Sequence, residues 1–135
     1  MHEFTRSLRR SVAAAAASLA LVLALGVAPA SAEPSNKWRI VVDGSTRSGG
    51  TVVLRIAPVG GAAQDVTIQV PERTSENQVA KIVTRELKAA LGKAIHVERD
   101  DFEDVLLKRR GKTPDFEVTL VSSSLTGTSF RFRRE

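Results

Sequence analysis

The chain has no cysteine and no tyrosine, and its 135 residues include one Trp, one Met and two His. Without cysteine there is no disulfide, no thiolate metal ligand and no thiol nucleophile, so burial alone must hold the fold. No lipid can be attached through a thioether. Aromatic residues make up 4% of the chain, too few to interleave with bases as a stacking platform for single-stranded nucleic acid. Three functional signatures are also missing. There is no G-x-S-x-G nucleophile elbow, no G-x-x-x-x-G-K-[ST] phosphate loop and no D-x-[DN]-x-[DN]-G calcium loop. No metal or cofactor motif is left, and an enzyme is not expected.

What is present begins with an export signal. Arg6, Arg9 and Arg10 form a basic start, and an apolar run of Ala, Leu and Val extends from Val12 to Val27. Ala30-Ser31-Ala32 then supplies the small residues that a signal peptidase accepts. The run is shorter than the roughly 20 residues needed to cross a bilayer, so cleavage after Ala32 is expected rather than anchoring. A second small-residue exit, Ala28-Pro29-Ala30, could shift the cut by two residues. Arg9-Arg10 lacks the bulky residues that follow a twin-arginine pair, which favours general secretion. No later segment is apolar for long enough to span a membrane. The reading is a cleavable signal over 1–32 and one small domain over 33–135, periplasmic or secreted, with a leader of bacterial composition.

The formal net charge is +5. Removing residues 1–32 takes away three bases and the acid Glu3, cutting the excess of bases from five to three. That balance does not by itself point to nucleic acid.

Along the domain, period-two alternation marks strands. Trp38, Ile40 and Val42 share one face. Val52, Leu54 and Ile56 do the same over Thr51–Ala57, and the turn-rich stretch Gly44–Gly50 suggests that these two strands form a hairpin. Val66, Ile68 and Val70 alternate up to Pro71. A helix over about 75–91 is predicted next: Ser75 as N-cap with Gln78 three residues on, then Val79, Ile82, Val83, Leu87, Ala90 and Leu91 as an apolar stripe, with Gly92 at its end. Ile95 and Val97 flank an outward His96 in a short strand. Residues 101–110 fit two readings. Acids first and bases last suit a short second helix, whereas Val105 and Leu107 alternate as in a strand, with 110–115 turning back into the next one. Phe116, Val118 and Leu120 form a further strand, and Phe130 and Phe132 a final one. Strands grouped before and after one long helix give an α+β pattern, an antiparallel sheet packed on one amphipathic helix.

Candidate sites are few. His96 could act as a general base or metal ligand beside Glu98, Asp100 or Asp101, but a lone imidazole on a strand is more often ordinary surface. The acids Glu98, Asp100, Asp101, Glu103 and Asp104 could hold Ca²⁺, yet lack the spacing that wraps one ion. Lys108, Arg109, Arg110 and Lys112 cluster around Gly111. Lys81, Arg85 and Lys88 line the polar face of the helix at i, i+4 and i+7. Arg131, Arg133 and Arg134 close the chain. Such bases can be plain solvated surface, or can meet an anionic polymer or headgroup of the envelope. Nucleic acid ranks last. The leading expectation is an exported, non-enzymatic binding or accessory domain. It would bind through its basic surface or through an exposed sheet edge, with the terminal strands Trp38–Asp43 and Ser129–Arg134 expected at sheet margins. The alternatives are a small hydrolase using His96 with a nearby carboxylate, and a structural subunit that assembles edge to edge.

Overall fold

The computed structural model describes residues Glu33 to Glu135. The leader expected over 1–32 lies outside the described residues. The elements run β1 (Lys37–Asp43), β2 (Gly50–Pro58), β3 (Gln64–Val70), α1 (Glu76–Leu91), β4 (Ile95–Asp100), β5 (Asp104–Arg109), β6 (Phe116–Ser123) and β7 (Ser129–Arg134). The class is α+β, with two antiparallel sheets where one was expected. Their strand orders are β4-β5-β1-β7 and β3-β2-β6. No helix among the described residues is long and apolar enough to cross a membrane.

The second sheet arises because β1 and β2 do not form a hairpin. β1 pairs with β5 and β7, and β2 pairs with β3 and β6. The loop between them is tied down as a crossover. Thr46 is buried, donates through Oγ1 to the Pro71 carbonyl at 2.9 Å and accepts from the Thr74 backbone N–H at 2.7 Å. Gly44 and Gly127 both sit at φ +84°, and a Cβ on either would come within 2.3–2.5 Å of a facing carbonyl oxygen. Only glycine permits that approach. β1 is therefore central in its sheet, not at a margin, while β7 does lie at an edge.

Residues 101–110 form no second helix. β4 and β5 make a hairpin with Asp100 opposite Asp104, so the alternation of Val105 and Leu107 prevails over the helical charge pattern. The pairing partner differs from the sequence expectation, because β5 lies between β4 and β1 and β6 belongs to the other sheet. The tip of the hairpin is strained. Asp101 and Phe102 both have positive φ, 44° and 61°, and the Phe102 side chain is 70% exposed. A left-handed residue other than glycine costs about 1–2 kcal/mol, and Asn adopts that region more readily. Phe102→Asn is accordingly expected to stabilise the domain by about 0.5–1 kcal/mol, read as a rise in the urea midpoint. A fall would mean that the ring makes a contact the fold needs.

One apolar cluster fills the space between the sheets and under α1. Trp38 is its largest member and joins the two sheets, its indole N–H donating to the Phe116 carbonyl at 2.6 Å. Ser75 caps α1 by accepting from the Gln78 N–H at 3.3 Å. The buried face of the helix is Val79, Ala80, Val83, Thr84, Leu87 and Leu91. It is rotated from the predicted stripe, so that Ile82 is only partly buried and Ala90 is exposed. That rotation leaves Lys81, Arg85 and Lys88 outward.

Candidate functional site

Lys81, Arg85 and Lys88 meet a fourth cation, Arg99 from the end of β4. Together with Gln78, Ile82 and Thr84 they line an open groove of about 560 Å³ on α1. No acid is among the lining residues. Arg85 reaches its neighbour Glu86 at 3.2 Å, whereas Lys81, Lys88 and Arg99 make no ion pair among the described residues. Like charges at i, i+4, as Lys81 and Arg85 are, cost a helix a few tenths of a kcal/mol when nothing answers them. The groove therefore holds a positive field that an anion would relieve. Sequence reasoning missed Arg99. The signal was its phase: Ile95 and Val97 face the core, and Arg99, two residues further, stays on the helix side as the strand runs past the core.

The other basic cluster does not converge. Strand alternation sends Lys108 and Arg109 to opposite faces of β5. Lys108 Nζ lies 2.7 Å from Glu98, and Arg109 lies 2.9 Å from Asp115. Arg110 donates to His96 Nδ1 at 3.2 Å, and Lys112 is exposed in the loop beyond. At the end of the chain Arg134 pairs with Glu33 at 2.8 Å, while Arg131 and Arg133 project from the outer face of β7, opposite Val41 and Arg39.

His96 has both ring nitrogens engaged. A guanidinium can only donate, so Nδ1 accepts from Arg110 and the Nε2 proton points to Glu98 at 3.1 Å. Lys108 and then His96 hold the Glu98 carboxyl below its ordinary range. Neither His96 nor Glu98 lines the α1 groove.

The acids from Glu98 to Asp104 are explained chiefly by Arg39, an outward residue of β1. Its guanidinium bonds Asp104 at 2.7 Å and Asp100 at 3.0 Å, lies 3.9 Å from Asp101 and also bonds Glu135. Among the described residues no three His, Cys, Asp or Glu side chains are grouped so as to hold a metal ion. Hydrogen bonds from Arg39 and then Lys37 pull the Glu135 carboxyl down to about 2. A depressed carboxylate stabilises the fold fully above its unfolded value, and that contribution disappears as pH falls through the folded one. Part of the stability should therefore be lost between about pH 4.5 and 2. Glu135→Gln is expected to flatten the stability profile in that window, measured by urea unfolding at a series of pH values. An unchanged profile would show that the pair contributes nothing to acid sensitivity.

No protein-family model matches the sequence, and a search of curated proteins finds no match.

Proposed function

We propose that the protein is a small, exported, non-enzymatic binding module that holds an anionic polymer or headgroup of the cell envelope in the α1 groove. The observation that carries this reading is the convergence of Lys81, Arg85, Lys88 and Arg99 on one surface with no acid in its lining. Three of the four lack an ion-pair partner among the described residues, so a ligand would find their charge available. Export is supported by the basic start, the apolar run from Val12 to Val27 and Ala30-Ser31-Ala32. The scarcity of aromatics argues against nucleic acid.

The test compares two sets of alanine variants on an immobilised polyphosphate column eluted with rising salt. Changing Lys81, Arg85, Lys88 and Arg99 should remove most of the retention and flatten its salt dependence, since a surface that neutralises fewer phosphates releases fewer counterions. Changing Lys108, Arg109, Arg110 and Lys112, which are largely engaged within the fold, should alter it little. Equal loss from both sets would mean that net charge, not the groove, retains the protein. Self-association that rises with concentration and ignores salt would favour pairing through the free edge of β7 instead. Hydrolytic activity abolished by His96→Ala would replace the binding reading with the enzymatic one.

A further inference from the structure

The C-terminal end of α1 leads to a second cavity of a different character. It has a volume of about 300 Å³ and lies where the β2–β3 turn, the helix end and the β5–β6 loop converge. Pro58, Val59 and Pro114 are among its accessible lining, over Ile56, Leu91 and Phe116, which lie almost wholly buried beneath, and no charged side chain lines it. Small-molecule sites start at about this size and are mostly apolar with a few polar groups. At about 30 Å³ per water-sized atom group the cavity holds about ten non-hydrogen atoms.

Its surroundings supply the charge. A neighbouring depression over the helix end shares Gln64, Leu91 and Ala94 with the cavity and carries Lys88 and Lys93, again without an acid. Lys88 also lines the α1 groove. An apolar hole thus opens beside two lysines that make no ion pair among the described residues. A single alkyl chain ending in an anion matches that order of surfaces: the chain leaves water in the cavity, and the head meets ammonium groups at its rim.

We propose that the end cavity binds a medium-chain anionic amphiphile, its alkyl chain against Pro58, Val59 and Pro114 and its carboxylate or phosphate head at Lys88 and Lys93. The head position rests on the anion-binding reading above, because Lys88 belongs to both surfaces; the chain position does not. Each buried methylene is worth about fourfold in affinity, so chain length should dominate.

The test is calorimetric titration of the protein, purified from cells expressing the full chain, with decanoate, decyl phosphate, hexanoate and decanol below their micellar or solubility limits. Decanoate and decyl phosphate should bind. Hexanoate, four methylenes shorter than decanoate, should bind on the order of 100-fold more weakly, and decanol, without the charge, about 10-fold more weakly. Ala94→Trp, at an exposed position on the mouth, should abolish decanoate binding. Ala62→Trp provides a second block if the first variant fails to fold. Lys88→Glu with Lys93→Glu should weaken decanoate at least about 10-fold.

Absence of decanoate binding, or binding unmoved by either tryptophan, would overturn the proposal. So would binding only to vesicles of anionic diacyl lipid that persists in Ala94→Trp, since headgroups alone would then be recognised. Polyphosphate retention separates the two readings. If it survives while decanoate never binds, only the cavity proposal fails. If decanoate binds and the groove variants lose no retention, the groove reading fails, the chain position stands, and the Lys88→Glu, Lys93→Glu variant alone decides the head position.

Discussion

Replacing Trp38 with alanine is expected to cost about 3–5 kcal/mol of folding stability, the loss typical of a large buried aromatic. The indole is 1% exposed. It sits on β1 in one sheet and donates to the Phe116 carbonyl on β6 in the other, so it fills the interior and ties the layers together. Domains of this size are stable by about 5–15 kcal/mol, and a loss on this scale removes much of that margin. Trp38→Phe separates packing from the hydrogen bond. The Phe116 carbonyl also accepts the Ser35 backbone N–H at 3.0 Å, so removing the indole donor does not orphan it. The phenylalanine variant should therefore cost only about 1–2 kcal/mol. Urea unfolding followed by circular dichroism reads both changes. Equal costs would assign the energy to the hydrogen bond rather than to volume.

Arg39→Met is expected to cost about 1–3 kcal/mol, more than the loss of an ordinary surface charge. The Arg39 side chain is 16% accessible, and its partner Asp104 13%. Removing the cation leaves Asp104 partly desolvated with no counter-charge, and also frees Asp100 and Glu135. The penalty comes from the carboxylates left behind, not only from the missing attraction. Pairing Arg39→Met with Asp104→Leu should therefore recover part of the loss, and a double-mutant cycle measures that coupling. Additive costs would show that the two groups stabilise the fold independently. By contrast, Arg55 and Asp65 bond each other across β2 and β3 with both side chains more than 40% accessible. Salt should screen that pair far more than the Arg39 network.

Local elements were readable because their periods are clean. The alternation of Trp38, Ile40 and Val42, and of Val66, Ile68 and Val70, follows from a pleated strand with one buried face. Ser75 and the apolar stripe located α1 because caps and helical spacing act within a few residues. Pairing was not readable. Whether β1 meets β2, or β5 and β7, depends on Thr46, Gly44 and Gly127 packing against distant backbone, and such contacts leave no local pattern. The bulge in β6 was equally hidden. Leu54 opposes Leu120 and Val53 opposes Ser122, so Val121 is an extra residue. In the Asp100–Arg110 stretch the order of charges imitated a capped helix, yet the acids serve Arg39 across the sheet.

The candidate site was half legible. Lys81, Arg85 and Lys88 share a helix face by spacing alone, but Arg99 joins them only once β4 folds back along α1. The basic run from Lys108 to Lys112 looked as strong in sequence. Strand geometry scatters it, and Glu98 and Asp115 take up two of its charges.

Residue-resolved NMR on ¹⁵N-labelled protein, titrated with short-chain polyphosphate, tests the groove most directly. Salt-sensitive shifts are expected at Lys81, Arg85, Lys88 and Arg99, with Lys108, Arg109, Arg110 and Lys112 nearly still. Shifts centred on 108–112, or spread evenly over every exposed base, would contradict the groove reading.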